Sequence, residues 1–163
     1  MLREAAAREA GGARADVRGT EGWQDLRWGM SSAEVADEMR SLPRVPRAFD
    51  EDASAARFSV ATWRTAIAKH DATVHCFVLQ EQLARVLVEL PKISREFLFD
   101  LLTSKYGEPV TKDAWSALWL TPESVIFAKY GVDGGQVFYT SKLLETDLKS
   151  ALEIWTSRRA KGL

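Results

Sequence analysis

Cysteine, histidine and charge imbalance are the scarce commodities of this chain: it has one cysteine, two histidines and a net charge of −1 in 163 residues. A lone Cys76 excludes an internal disulfide framework and any zinc site built on several thiolates, and it agrees with a reducing compartment. Twenty-two Lys and Arg against 23 Asp and Glu leave no long-range field to draw in nucleic acid or an anionic membrane. Long apolar runs are also missing. The run at 97–102 is broken by Asp100, far short of the ~20 residues needed to span a bilayer as a helix. Near the start, Arg3, Glu4, Arg8 and Glu9 interrupt every alanine run, so no signal-peptide core is expected there. With Met1 as the start, the expected location is the cytoplasm; an upstream start carrying a signal peptide would make the protein exported.

What is present is the composition of a folded domain: 46% hydrophobic and 28% charged residues, enough for one core and too short for two ordinary domains. Residues 1–20 hold Ala, Arg, Glu and Gly with few large apolar side chains, and predict a frayed or disordered tail. Residues 21–163 form the expected single domain. Ser31 with Glu34 has the spacing of a capping box, and Val35 and Met39 follow on one face of a short helix that ends before Pro43. Residues 42–56, with Pro43, Pro46 and Asp50, predict a surface loop.

Three strand patterns follow. Residues 57–67 alternate; 72–79 are apolar at both parities, as in a central strand; 83–90 alternate again and stop at Pro91. Ser94 predicts the cap of a second helix, with Glu96 in its first turn and Gly107 and Pro109 as stop signals. Three further strands are expected at 114–121, 123–130 and 136–140, the last two joined by a turn at Asp133-Gly134-Gly135. Leu144, Leu148, Ala151, Leu152 and Trp155 stripe a final helix. The predicted fold class is therefore α+β: about six antiparallel strands in two meanders, in the order α-βββ-α-βββ-α, with the helices packed on one face.

The run Trp28-Gly29-Met30-Ser31 with Glu34-Val35, together with Lys105-Tyr106-Gly107 and Pro109, resembles small bacterial proteins of unassigned function that open on W-G-x-S-x-x-E-V and carry a K-Y-G-x-P run. The likeness spans about residues 22–142. The helix-then-strands order is also faintly similar to outer-membrane assembly lipoproteins of the SmpA/OmlA type and to β-lactamase-inhibitor-like domains. This chain departs from the former in having no lipoprotein signal and no lipid-accepting cysteine near its start. The resemblance implies a protein-binding role.

Among side chains that carry chemistry, His70, Asp71, His75 and Cys76 form the one cluster of catalytic residue types. His75 and Cys76 are strand neighbours and point to opposite faces, and a third firm metal ligand is absent, so a surface His-Asp turn and a buried thiol are the plainer reading. No metal site, phosphate loop, nucleophile elbow or cofactor motif is recognisable. Six tryptophans stand out. Trp115 and Trp119 share a strand face and Trp63 lies in the other meander; this trio is the candidate binding set, as an aromatic platform. Space-filling in the core is the competing reading. The expected function is a non-enzymatic protein-binding or interaction domain, with another protein as partner, no nucleic acid, no membrane span and no cofactor. Partner identity and oligomeric state are not encoded legibly. The alternative is a small-ligand-binding protein or enzyme with a pocket between sheet and helices, using His70, Asp71 or His75.

Overall fold

The computed structural model describes residues 19–46 and 58–161, without the side chains of residues 155 and 158–161. Residues 1–18 of the tail expected at 1–20, most of the loop expected at 42–56, and the packing of Trp155 lie outside the described residues, whereas Gly19 and Thr20 are held by hydrogen bonds to Trp28 and Glu123. Strand β1 (Gly22–Trp23) and β2 (Leu26–Arg27) make a small hairpin; α1 (Ser32–Glu38) and β3 (Arg44–Val45) follow. Next come β4 (Phe58–Ile67), β5 (His70–Leu79), β6 (Gln82–Leu90) and α2 (Arg95–Tyr106). The chain ends with β7 (Thr111–Lys112), β8 (Ser116–Leu120), β9 (Ser124–Gly131), β10 (Gly134–Ser141) and α3 (Glu145–Lys161).

Helix starts follow from local chemistry. The Ser31 hydroxyl accepts the Glu34 N–H (3.2 Å) while the Glu34 carboxylate accepts the Ser31 N–H (3.1 Å), so two orphan donors of α1 are satisfied reciprocally. The Ser94 hydroxyl caps α2 by accepting the Phe97 N–H, without a reciprocal bond from the apolar Phe97 side chain, and Gly107 closes the helix at a φ of 83°. The β4–β5 and β5–β6 turns put two consecutive residues each at positive φ: Ala68 and Lys69, then Gln80 and Glu81. Two-residue hairpin loops of this kind match the twist of the strands.

Eight strands form one antiparallel sheet in the order β3-β4-β5-β6-β10-β9-β8-β7. This overturns the expected α+β layout of about six strands in two meanders. The fold is mostly β, with ten strands in an eight-stranded and a two-stranded sheet and three helices among the described residues. The halves fuse because β10 pairs with β6, Val137 opposite Val88 and Tyr139 opposite Val86. The start of the loop expected at 42–56 instead contributes the edge strand β3, and β7 caps the other edge.

The helices do not share a face. On one face Trp63, Val74, Val86, Val88, Val137, Ala128 and Trp119 form a core with Val35 and Met39 of α1, Leu98, Phe99 and Leu102 of α2, and Trp23, Leu26 and Trp28. On the other, Phe58, Val60, Leu79 and Ala84 pack against Leu144, Leu148 and Ala151 of α3. A register shift between β5 and β6 at Phe77/Val78 leaves Ala84 outside the pairing. That bulge turns Ala84 and Arg85 toward the α3 side together.

The amino-terminal hairpin is latched to the β8–β9 loop by two carboxylates. Glu123 accepts the N–H groups of Thr20 and Glu21 (both 2.9 Å) and the Thr20 hydroxyl (2.8 Å). Glu21 in return accepts from the Glu123 N–H (3.2 Å), the Ser124 hydroxyl (2.7 Å) and the Thr121 hydroxyl. The Ser124 oxygen also takes the Trp28 indole N–H (2.9 Å), tying the latch to the core.

Candidate interaction surface

Each residue of the tryptophan trio meets a different environment. Trp63 is 3% exposed beneath α1 and Trp119 is 2% exposed, its indole N–H donating to the Gly107 carbonyl (2.7 Å). Only Trp115, 59% exposed, reaches solvent. It is held by Asp113, which accepts its N–H (2.8 Å), and by the Arg95 guanidinium 5.2 Å from its ring centroid. The Trp115 N–H, with the Ser116 hydroxyl and N–H, keeps the Asp113 carboxyl below its usual range. No shared aromatic platform results.

The His-Asp-Cys cluster is likewise dispersed. His70 stacks on Phe97 of α2 (centroids 5.1 Å apart) and Asp71 pairs with Lys92 (3.7 Å). Five residues along an extended strand place His75 about 16 Å from His70 on the opposite face. Burial pushes the Cys76 thiol up to about 12, so it stays protonated and is no nucleophile. Among the described residues no group of three His, Cys, Asp or Glu side chains is placed to hold a metal ion.

The open face of the sheet, opposite α1 and α2, carries the more informative arrangement. The pairing registers align Thr62, His75, Leu87, Phe138, Phe127 and Leu118 in one row across six strands. At its β4 end the Thr62 hydroxyl and His75 Nδ1 are hydrogen-bonded (2.9 Å), and His75 Nε2 meets the Glu89 carboxylate, which also accepts the Gln136 amide (3.1 Å). These are the residue types of a hydroxyl–imidazole–carboxylate triad, wired the wrong way round for one. Thr62 is 1% exposed, whereas the carboxylate lies at the open end. A nucleophile has to face its substrate; here the hydroxyl faces protein.

At the other end the row turns apolar and open. Phe127 and Phe138 are tilted against each other with centroids 6.3 Å apart, and Phe127 is 37% exposed. Leu118 and Val125 are half-buried beside them and Leu120 is 50% exposed. Two cations converge on Phe138, the Arg85 guanidinium at 5.5 Å and the Lys129 ammonium at 5.6 Å from its centroid. Arg85 also donates to the Thr140 hydroxyl (3.0 Å). Desolvation lowers its pKa, partly offset by the Glu145 carboxylate on α3. Arg85 further floors a cleft of about 870 Å³ walled by Glu145, Lys149, Leu152 and Glu153 of α3, so the cleft and the aromatic row meet at one guanidinium.

Sequence reading passed over Phe127, Phe138, Leu118, Leu120, Arg85 and Lys129. The available signal was apolarity at both parities of β8 and β9 (Leu118 and Leu120 against Ala117 and Trp119), which marks a second face in need of a cover. No family model, curated protein or solved structure matches this chain.

Proposed function

We propose that this chain is a non-enzymatic binding domain that takes an apolar, acidic segment of another protein on the open face of its sheet. The observation that carries this reading is the row Leu87, Phe138, Phe127 and Leu118 with Leu120 beside it, apolar side chains that no helix covers among the described residues. Contiguous apolar patches of this kind are uncommon on monomer surfaces without an interaction role. The strands beneath are fixed by pairing on both sides, so little ordering cost remains for the receptor when a partner lands. Covering the row would contribute roughly 25 cal/mol per Å² of apolar area, before the costs of association. Arg85 and Lys129, already posed over Phe138, would supply charge-assisted contacts to partner carboxylates. The resemblance to β-lactamase-inhibitor-like and assembly-lipoprotein domains implies the same class of role.

Selection of displayed random peptides on the whole protein tests this, with Phe127→Asp/Leu120→Asp as counter-target and Phe97→Asp as control for the outer face of α2. The expected binders combine bulky apolar residues with Asp or Glu, hold to wild type and the Phe97→Asp variant, and weaken as salt is raised. Peptides that bind the counter-target equally well, or no enrichment at all, would refute the proposal.

A further inference from the structure

The two faces of the eight-stranded sheet carry unequal cover. Helices α1 and α2 and the β1–β2 hairpin pack on one face. On the other, among the described residues, α3 packs alone, setting Leu144, Leu148 and Ala151 on Phe58 and Val60 of β4, Leu79 of β5 and Ala84 of β6. A helix is about 10–12 Å across and strands lie about 4.8 Å apart, so one helix covers two or three strands. The strands left over are β10, β9 and β8, where Phe138, Val125, Phe127, Leu118 and Leu120 are half-buried or exposed. Three strands are the width of one further helix.

Backbone chemistry selects the form of the occupant. Strands β6, β10, β9 and β8 each have a paired neighbour on both sides, and the sheet ends in β3 and β7, two residues each. An extended segment laid over the apolar row would find no backbone partner there and would bury its own N–H and C=O groups unpaired. A helix satisfies those groups internally and offers side chains alone.

Helix α3 supplies a wall for it. Glu145, Lys149, Glu153 and Ser157 recur at every fourth residue along the cleft of about 870 Å³, with Thr146, Leu152 and Thr156 between them and Arg85 as floor. This lining is mostly polar and charged, so it suits the flank of a peptide and not an enclosed apolar ligand. The Arg85 guanidinium joins the wall to the apolar row, 6.0 Å from the Phe77 ring centroid and 5.5 Å from that of Phe138.

Resting on the docking reading of this face, we propose that the partner segment is an amphipathic α-helix laid over β10, β9 and β8 with one flank against α3. Its apolar stripe, at i, i+3 or i+4 and i+7, meets Phe138, Phe127, Leu118 and Leu120, and carboxylates on its flank meet Arg85 and Lys149. Strand β9 has eight residues and is about 27 Å long, which bounds the helix at about 18 residues.

The peptides enriched on the whole protein test this directly. Their apolar residues should recur at helical spacing, and circular dichroism should gain ellipticity at 222 nm on mixing. At a central position where alanine is tolerated, proline should weaken calorimetric binding about a hundredfold, and α-aminoisobutyrate should not weaken it. Lys149→Glu should weaken binding about fivefold and leave the circular dichroism of the free protein unchanged. Peptides that are lost on Phe127→Asp/Leu120→Asp yet tolerate proline, bind without gain at 222 nm, or ignore Lys149→Glu would overturn the helix and leave the docking surface standing. No enrichment would overturn both. Wild type sedimenting as a dimer that Phe127→Asp/Leu120→Asp dissociates would assign the face to a second copy and overturn the proposal.

Discussion

Two rows of side chains, one residue apart in sequence, run across the same six strands and behave differently. Trp63, Val74, Val88, Val137, Ala128 and Ala117 make a row that is buried from end to end beneath α1 and α2. Their chain neighbours Thr62, His75, Leu87, Phe138, Phe127 and Leu118 make the row behind it, buried at the Thr62 end and open at Phe127. Strand geometry sends consecutive residues to opposite faces, so each strand carries two separate messages. The first row specifies the fold. The second is as apolar as a core over half its length and yet lacks a cover among the described residues, and the proposed docking role rests on that difference.

The comparison can be broken most violently with a buried charge. Val88→Asp places an unpaired carboxylate at the centre of the dry row and is expected to cost more than about 4 kcal/mol, leaving no folded population. Phe127→Asp, behind the same sheet, should retain native circular dichroism and a cooperative urea transition. Next in size is the cover of the open face. Leu148, fully buried on α3, should cost about 2–5 kcal/mol when changed to Ala. Ile154, 50% exposed on the same helix, should be close to neutral in the same urea titration.

A smaller effect sharpens the comparison at its margin, where the hairpin latch holds Trp28 to the dry face. The Glu21 N–H, with the Thr20 hydroxyl and N–H, keeps the Glu123 carboxyl below its ordinary value of 4.5 against a weaker desolvation effect. A carboxylate with a depressed folded pKa stabilises the protein above its unfolded pKa, and that stability is lost as pH falls through the folded value. Thermal melts from pH 7 downward should therefore show wild type losing an increment below about pH 4.5 that Glu123→Gln, weaker throughout, does not lose. The smallest change is Lys69→Gly. It relieves a left-handed conformation (φ 67°) in the β4–β5 turn and should stabilise by about 1 kcal/mol.

Local chemistry was legible in the sequence. Ser31 with Glu34, Ser94 and Gly107 mark helix ends through caps that depend on two or three neighbouring residues, and alternation locates the long strands. What joins the parts was not. The β6–β10 pairing is non-local and leaves no periodic trace, and β1, β2, β3 and β7 are two residues each, below the length at which a period of two can be seen. The turns at Ala68-Lys69 and Gln80-Glu81 lack the Gly or Asn that left-handed positions favour, so their place is displaced by one or two residues in a sequence reading. The stripe of α3 says that one side is buried, not against which face of a sheet, and this is why three helices on one face was the wrong expectation. For the site, residue type misled. Tryptophan suggested a surface platform, yet Trp63 and Trp119 are core, while Phe127, Phe138 and Leu120, unremarkable in sequence, lie on the open face.

Urea unfolding of two single truncations measures the difference between the faces most directly. Trp119→Ala, from the sealed side, should lose about 3–5 kcal/mol, and Phe127→Ala, from the open side, less than about 1 kcal/mol. Losses of similar size would mean that both faces are parts of one closed core, and the case for a docking surface would go with that result.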